Sequence, residues 1–248
     1  MSETLIIAEK PSVAATIAAA LGAKEKKDGY IAGSGYLVSW CVGHLVQLAE
    51  AAAYGEQYKK WSYDSLPILP QEWQYAVASD KGKQFKILKD LMHRADVSEV
   101  VNACDAGREG ELIFRFVYDV AGCKKPMRRL WISSMEESAI KAGFASLKDG
   151  RDYDALFASA LCRAKADWII GINATRLFSC LYNRTLNVGR VQTTTLKMLV
   201  DGAAAITTFK KEKCSHVRLM LPGADAVSVR LPAADEAREL KTVCEASQ

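Results

Sequence analysis

The sequence predicts an α/β protein in which a mainly parallel sheet occupies the first part of the chain. Three observations predict it. Up to Gly150, apolar runs of strand length alternate with segments whose apolar residues recur at helical spacing. After Gly150 the pattern is helical alone, and from Cys214 it alternates as in a hairpin. Half of the 248 residues are hydrophobic and a quarter are charged, which suffices for a substantial core.

The composition excludes several classes of protein. Seven cysteines are scattered without a C-x-x-C pair, which argues against a zinc ribbon and against a secreted disulfide framework. The start, MSETLIIAEKPS, is unlike a signal peptide, and no apolar run approaches membrane-spanning length. We therefore expect a reduced, cytoplasmic protein without a membrane partner. The net charge of +4 permits a nucleic-acid partner without arguing for one.

The first predicted strand covers residues 5–8 and is followed directly by Glu9. Ser12 is a candidate cap for a helix that continues through Leu21 and stops at Gly22. A single glutamate after a strand is most often ordinary surface. Glu9 indicates a metal site only if a second acid lies at the same edge of the sheet.

The most informative stretch is VVNACDAGREGELIFR, residues 100–115. Its apolar start predicts a buried strand that ends before Asp105, and the spacing that follows predicts a helix beginning near Glu109. Open α/β sheets bind ligands at their carboxyl edge, where acids beside Arg108 suit a divalent cation held by carboxylates, waters and phosphate oxygens. The alternative is a solvated loop whose acids favour a helix start. Glu9, at another strand end, favours a shared metal site.

The middle of the chain predicts three further elements. Residues 36–42 alternate as a strand and lead to His44, which by itself is most often a turn or core residue. Residues 54–70 combine aromatic residues, turn formers and two lysines. That mixture suits base stacking beside phosphates, although packing of an irregular loop on the core is the commoner explanation. A helix with a lysine-rich outer face is predicted over 79–92.

The next elements lead across the predicted domain boundary. Residues 130–132 predict a short strand, and Ser134 with Glu137 predicts a capping box for a helix that reaches about Leu147. Residues 153–181 predict a long helix on which several polar and charged side chains can share one face.

The last third of the chain predicts a turn, a helix and a hairpin. The sequence NVGRVQT at 187–193 is a glycine-containing turn that leads into a helix to about Ile206. Backbone amides at such a helix start, beside Arg190, suit an anion, and an ordinary helix cap with a surface arginine is the alternative. A hairpin over 216–230 and a helix over 233–244 begin a β-rich module.

Taken together, six segments resemble the N-terminal part of the type IA DNA topoisomerases, in the bacterial topoisomerase III branch. In family order they are IIAEKPS at 6–12, WCVGHL at 40–45, YKKW with LPILP at 58–70, DAGREGELIF at 105–114, ALCRAKADWIIGINATR at 160–176 and NVGRVQTTTL at 187–196. The resemblance implies a Rossmann-like Toprim domain with a mainly parallel sheet over 1–150. A helical DNA-binding domain over 151–208 and the beginning of a β-rich arch domain over 209–248 would follow.

The resemblance also implies roles for single residues. Glu9, Asp105 and Glu109 match the acids that bind magnesium in this family, and Lys10 matches a lysine that contacts the scissile phosphate. Glu9 is also the candidate proton donor to the leaving 3′ oxygen, a role that would need a raised pKa in the metal-free site. The family pattern is usually D-x-D-x-E, and the middle acid is Gly107 here. Because glycine has no ligand oxygen, we expect one Mg²⁺ ion, held mainly by Glu9 and Asp105, rather than two.

The DNA-binding positions that the resemblance implies come from several parts of the chain. They are His44, Trp61, Arg108, Arg163, Asp167, Trp168 and Arg176, with Asn187, Val188, Gly189, Arg190, Val191 and Gln192. The implied partner is DNA, mainly single-stranded, and we expect a monomer.

The implied reaction is a transesterification. A tyrosine attacks one DNA strand, holds the 5′ phosphate covalently and lets the nick be resealed without ATP, so that DNA is relaxed or decatenated. None of the nine tyrosines matches the family's nucleophile, since the Arg184-Thr185 pair precedes the GRVQ motif. We therefore expect an N-terminal portion of the enzyme, inactive alone, to which the rest of the topoisomerase chain supplies the tyrosine.

Two alternatives stay open. A non-catalytic module for single-stranded DNA would bind oligonucleotides with an affinity that falls steeply with salt. A different Toprim enzyme, a primase or a nuclease, would share the acids but lack Trp168 and the GRVQ element. Magnesium-dependent nicking without a covalent adduct would favour that enzyme.

Overall fold

A computed structural model describes residues 2–211 and the backbone of two later strands. The helices are α1 (Pro11–Ala20), α2 (Gly82–Met92), α3 (Arg108–Ala121), α4 (Glu137–Ala145), α5 (Asp154–Leu181) and α6 (Arg190–Thr207). The strands are β1 (Glu3–Ala8), β2 (Glu25–Lys27), β3 (Tyr30–Gly33), β4 (Tyr36–Trp40), β5 (Val46–Leu48), β6 (Tyr75–Val77), β7 (Val97–Ala103), β8 (Met127–Arg129), β9 (Lys148–Asp149), β10 (Ser215–Leu219) and β11 (Val227–Leu231). By internal contacts the chain divides into two compact units, Met1–Thr193 and Thr194–Gln248.

The first unit is built on a seven-stranded sheet with the order β2-β3-β4-β1-β7-β8-β9. Its four central strands run parallel, and the strands toward both edges pair antiparallel. Residues 5–8 of β1 are fully buried, because helices cover both faces of the sheet, and such a strand is a continuous apolar run. The predicted α/β class with a mainly parallel sheet is confirmed.

Two apolar cores lie on opposite faces of the sheet. On one face Leu5 and Ile7 of β1 pack with Leu88 of α2, Leu112 of α3 and Ala160 of α5. On the other, Ile6 and Ala8 pack with side chains of α1 and α4, including Ala14, Ile17 and Ile140. The N-terminal part of α5 therefore packs on the sheet unit, beside the start of α3.

Several predicted helix starts need correction. Helix α1 begins at Pro11 with Lys10 as its N-cap and no side-chain cap, so Ser12 lies inside the first turn. Proline is favoured at the first helical position because its fixed φ fits the helix and its missing N–H is not needed there. Ser134 accepts a hydrogen bond from the Glu136 N–H, so the predicted capping box is not formed. Helix α2 begins at Gly82, three residues later than predicted.

The strand predicted at 130–132 was wrong, because β8 is Met127–Arg129. Two arginines in three residues do not indicate a buried strand, yet Arg129 is buried. Strands β2 and β3 and the separate β5–β6 pair have no counterpart among the predicted strands. The long helix over 153–181, the helix to about Ile206 and the later hairpin are confirmed. The helix predicted over 233–244 lies outside the described residues.

Candidate functional site

Two carboxylates lie together at the carboxyl edge of the sheet. Glu9 follows β1 and Asp105 follows β7, and the last residues of these neighbouring parallel strands, Ala8 and Ala103, are paired. The side chain of Glu9 is only 12% exposed. Burial raises the pKa of Glu9, the negative charge of Asp105 raises it further, and Lys10 lowers it. The structure thus brings Glu9 and Asp105, the acidic pair, into one site.

Lys10 lies beside the acidic pair. Its Nζ is 3.9 Å from Oε1 of Glu9, and its side chain is 60% exposed. A lysine that reaches solvent here can stabilise charge that develops on the oxygens of a bound phosphate. Two carboxylates and one lysine leave a net negative charge. Oxygen ligands with that charge are the donors that a hard divalent cation prefers.

Glu109, the third predicted acid, contacts a histidine. Its Oε1 lies 2.6 Å from Nε2 of His44. The loop that carries His44 is held by Lys81, whose Nζ donates hydrogen bonds to the carbonyls of Val42 and His44. Within the part of the chain that the structure describes, no group of three His, Cys, Asp or Glu side chains is arranged to hold a metal ion. Two of the three predicted ligands therefore lie together, and the third belongs to a separate contact.

A cleft lined by arginines runs between the start of α3 and α5. Two neighbouring cavities of about 530 and 460 Å³ share Arg108, Arg163 and Asp167 in their walls. Arg190 lines the first cavity and Glu109 lines the second. We call this surface the arginine cleft. Gly107 and Arg108, which line the second cavity, follow Asp105 by two and three residues, so the cleft begins within a few residues of the acidic pair along the chain.

Asp167 orients two of the guanidinium groups in the arginine cleft. Its carboxylate accepts hydrogen bonds from Nε and Nη2 of Arg190 at 2.5 and 3.2 Å, and Nε of Arg163 lies 3.7 Å away. The hydrogen bond from Arg190 lowers the pKa of Asp167. Guanidinium groups recognise carboxylates and phosphates with the same planar fork. Arg163 and Arg190 can therefore bind a phosphate in place of the carboxylate of Asp167.

The segment before α6 is fixed by hydroxyl groups. The Val188 N–H donates to Oγ1 of Thr175 at 2.9 Å, and the Gly189 N–H donates to Oγ1 of Thr193 at 3.0 Å. The predicted DNA-binding positions Asn187, Arg190, Val191 and Gln192 are exposed. The Val188 and Gly189 amides are therefore used within the fold, whereas the side chain of Arg190 lines the arginine cleft.

Trp168 joins α5 to the aromatic segment that precedes β6. Its indole N–H donates to the carbonyl of Ala49 at 2.9 Å, and its ring makes edge contacts with Tyr54 and Trp73. Asn173 of α5 also bonds this segment through both backbone groups of Ile68. Much of the aromatic content predicted for base stacking therefore packs internally. The DNA-binding role of Trp168 stays a prediction.

Arg176 lies under Trp61, another predicted DNA-binding residue. The guanidinium carbon is 5.4 Å from the centre of the Trp61 ring. Arg176 is only 4% exposed, and its Nε and Nη1 have no hydrogen-bond partner within the described residues. Burial lowers its pKa. A buried guanidinium with unused donors is electrostatically suited to an anion near Trp61.

Comparison with known proteins identifies the family. The profile of the Toprim domain matches residues 4–135, more than half of the chain, and that of DNA topoisomerase matches residues 151–247. The chain belongs to the type IA DNA topoisomerases. DNA topoisomerase 3 of Bacillus cereus (strain ATCC 10987 / NRS 248) is 49% identical over 212 residues, which are 86% of this chain and 29% of that protein. DNA topoisomerase 3 of Shouchella clausii (strain KSM-K16) is 49% identical over 209 residues, 84% of this chain and 29% of that protein.

The fold agrees with the family. Full-length topoisomerase I from Thermotoga maritima matches with a TM-score of 0.58 and 22% identity, over 95% of this chain and 37% of that one. This topoisomerase chain spans about 29% of the length of the curated relatives it matches. In the described part of the chain, no helix combines the length and apolar character that a membrane span requires.

The sequence did not indicate the buried charges under the acidic pair of this topoisomerase chain. Arg129 is 1% exposed and donates hydrogen bonds to the carbonyls of Cys104 and Asp105, both at 2.7 Å. Its Nε is 3.2 Å from Oε2 of Glu111, which is also 1% exposed. Burial raises the pKa of Glu111 and lowers that of Arg129, and the attraction between them opposes both shifts. Arg129 thus fixes the backbone of Asp105.

The one sequence signal for these buried charges was a spacing. Glu111 and Arg115 lie four residues apart on α3, and Nε of Arg115 donates to Oε1 of Glu111 at 2.9 Å. Nη2 of Arg115 also donates hydrogen bonds to the carbonyl of Gly150 and to Oδ1 of Asp154, both at 2.7 Å. Nothing in the sequence pointed to Arg129, because an arginine at the end of a short strand is ordinarily exposed.

Proposed function

We propose that this chain carries the acidic half of the active site and part of the DNA groove of an enzyme that cleaves and rejoins one DNA strand. The reaction proceeds through a 5′-phosphotyrosine, depends on Mg²⁺ and needs no ATP, and it relaxes or decatenates DNA. The attacking tyrosine comes from a part of the enzyme that these 248 residues do not contain. The observation that carries the proposal is the acidic pair beside Lys10, at the sheet edge where the arginine cleft begins.

The acidic pair fits a magnesium ion. Glu9 is mostly buried, and the charge of Asp105 disfavours its ionised form, so a divalent cation would relieve a repulsion that the fold creates. Glu9 and Asp105 would hold the ion, and Glu109, whose Oε1 contacts His44, is the weaker of the three proposed ligands. When bound, the ion would neutralise charge on the phosphodiester. We propose one ion, since Gly107 offers no ligand oxygen.

The neighbouring side chains have separate roles in strand cleavage. Lys10 reaches toward the non-bridging oxygens of the scissile phosphate, where its charge stabilises the transition state. In the metal-free site, the raised pKa of Glu9 lets its carboxyl group hold a proton that can pass to the leaving 3′ oxygen. Arg108, Arg163 and Arg190 position the phosphates of the strand along the arginine cleft.

Binding of Mg²⁺ is expected to strengthen with pH. Glu9 must be ionised to bind the ion, and its pKa is raised, so affinity should fall as pH decreases through a value above the ordinary pKa of glutamate. Without the metal ion, the pH dependence of folding stability has the opposite sign. The stabilisation from protonated Glu9 is present below its unfolded pKa and is lost as pH rises through the folded pKa. Calorimetric titration with Mg²⁺ across the acidic to neutral range measures the first effect.

Two variants control this titration. Glu9→Gln should weaken Mg²⁺ binding strongly and remove the pH dependence that the ionisation of Glu9 causes. Glu99→Gln changes a half-buried glutamate on β7, hydrogen-bonded to Thr4, and should leave both unchanged. An identical pH profile for Glu9→Gln and the unmodified chain would contradict the role of Glu9.

Single-stranded DNA is expected to bind the arginine cleft. Arg163→Ala and Arg190→Ala should each weaken binding of an oligonucleotide, and each lost phosphate contact should reduce the slope of log affinity against log salt by about 0.7. Fluorescence anisotropy over a salt series measures both quantities. Lys141→Ala removes one positive charge from an exposed ion pair on α4 and serves as the control. Binding that does not depend on salt would rule out this interface.

The same titration bears on the alternatives. Salt-dependent binding without strand cleavage is the behaviour expected of the isolated chain, whether or not a larger enzyme uses it. Nicking by the isolated chain, without a covalent adduct, would instead favour a nuclease. The topoisomerase profile over residues 151–247 argues against a primase or nuclease. We further propose a monomer in the cytoplasm that prefers single-stranded DNA, with residues 1–150, 151–208 and 209–248 as its domains.

A further inference from the structure

Two stacked aromatic rings lie at the carboxyl edge of the sheet, outside the site described above. Trp131 follows β8 by two residues, and Tyr153 ends the short turn of helix that precedes α5. Their ring centres are 5.0 Å apart with planes inclined by 24°. Trp131 is nevertheless 41% exposed. A stacked tryptophan that leaves this much of its surface in water offers a flat apolar face to another ring.

Arg129 links these rings to the acidic pair. Its guanidinium carbon lies 5.0 Å from the centre of the Trp131 ring and 5.9 Å from that of Tyr153. Nη2 of the same guanidinium donates to the carbonyl of Asp105 at 2.7 Å. One guanidinium group therefore separates the Trp131 ring from the backbone of Asp105. A nucleotide held at the acidic pair would have its neighbours within reach of this ring.

The outer face of Trp131 is covered neither by Tyr153 nor by Arg129. An arginine on that face would lie much farther from the centre of the Tyr153 ring than from that of Trp131. The guanidinium carbon of Arg129 is 5.0 Å from the centre of Trp131 and 5.9 Å from that of Tyr153, so the two distances are similar. Arg129 therefore does not lie on that outer face, although its guanidinium is within cation–π distance of both rings. Space beside Gly143 of α4 is filled by Leu130 and Ile132, the residues on either side of Trp131. Those neighbours anchor the segment while the indole stays exposed.

We propose that the Trp131–Tyr153 pair is a stacking platform for one base of the single-stranded DNA held at the acidic pair. The inference rests on the proposed function and adds a base contact to its phosphate contacts. Every base has a π face, so such a contact gives affinity and register without reading sequence. The rigid position of Trp131 against Tyr153 and Arg129 would fix where the strand lies relative to Asp105.

Oligonucleotides that each lack one base test the platform. In the unmodified chain, one abasic position should weaken binding by about tenfold relative to its neighbours. The Trp131→Ala variant should bind the oligonucleotide that lacks this base as well as it binds the other abasic oligonucleotides. The Trp131→Phe variant should keep most of the difference in affinity between them. Tyr36→Ala removes a ring from an aromatic pair at the amino end of β4 and should leave the whole profile unchanged. Trp131→Leu, which keeps apolar bulk without a π face, replaces the alanine variant if the latter fails to fold.

The outcomes separate the two proposals. If the unmodified chain binds but its abasic profile is the same in Trp131→Ala or Trp131→Leu, the platform is wrong and the arginine cleft stands. A uniform loss of affinity at every abasic position would also overturn the platform, because it indicates a structural role. If the unmodified chain binds none of the oligonucleotides, the proposed DNA groove fails and the platform fails with it.

Discussion

A Gly110→Ala variant is expected to lose its magnesium site and much of its stability. A Cβ atom at Gly110 would lie 2.2 Å from the carbonyl oxygen of Asp105 and 2.8 Å from its nitrogen. These are backbone atoms, so the turn or α3 must shift. Forcing a methyl group into a packed site costs about 1–3 kcal/mol. Any shift of the turn also separates the Asp105 carboxylate from Glu9, which should weaken Mg²⁺ binding at least tenfold.

Urea unfolding and Mg²⁺ calorimetry measure these two effects, and Gly107 supplies the matched control. Gly107 has an extended backbone with a φ of −178°, which any residue adopts. A Cβ there would meet no heavy atom within 4 Å, so Gly107→Ala should be nearly neutral. In an ordinary helix, replacing glycine by alanine stabilises by about 1 kcal/mol. A Gly110→Ala variant that gains stability and still binds Mg²⁺ would refute the close approach.

The position of the acidic pair could be predicted from local patterns. Residues 5–8 and 100–103 are apolar runs, and such runs are typical of parallel strands buried on both faces. Parallel strands end at one edge, so residues that follow them converge there. The structure bears this out for Glu9 and Asp105. Glu109 differs, because it lies within the first turn of α3 and its side chain meets a histidine from a separate loop.

The rest of the site could not be predicted, because it depends on long-range packing. Arg129 interrupts the apolar pattern of β8, so the strand was placed three residues too late. Its partner Glu111 is distant in sequence, and no local pattern pairs them. The motif that contains Trp168 predicts a DNA-binding role, yet its N–H donates a hydrogen bond and its ring makes two edge contacts within the fold. A motif therefore marks an important residue without saying whether its contacts are internal or external.

Removing the carboxylate of Glu111 is expected to destabilise the chain by about 3–5 kcal/mol, because Arg129 would stay buried without a counter-charge. Both side chains are 1% exposed, and their charged atoms are 3.2 Å apart. Urea unfolding of Glu111→Ala measures the loss. Glu137→Ala is the matched control, since Glu137 also pairs with a residue four positions later on a helix but is exposed. It should change stability by about 0.5 kcal/mol or less.

Combining Glu111→Leu with Arg129→Met separates stability from the fixing of Asp105. Replacing both buried charges by apolar side chains of similar size is often neutral or stabilising, so the double variant should recover most of the stability that either single change loses. It should still bind Mg²⁺ more weakly, because the Asp105 carbonyl loses the hydrogen bond from Arg129. Recovery of both properties would show that Arg129 serves only to neutralise Glu111. Recovery of stability alone would identify Arg129 as the residue that positions the acidic pair.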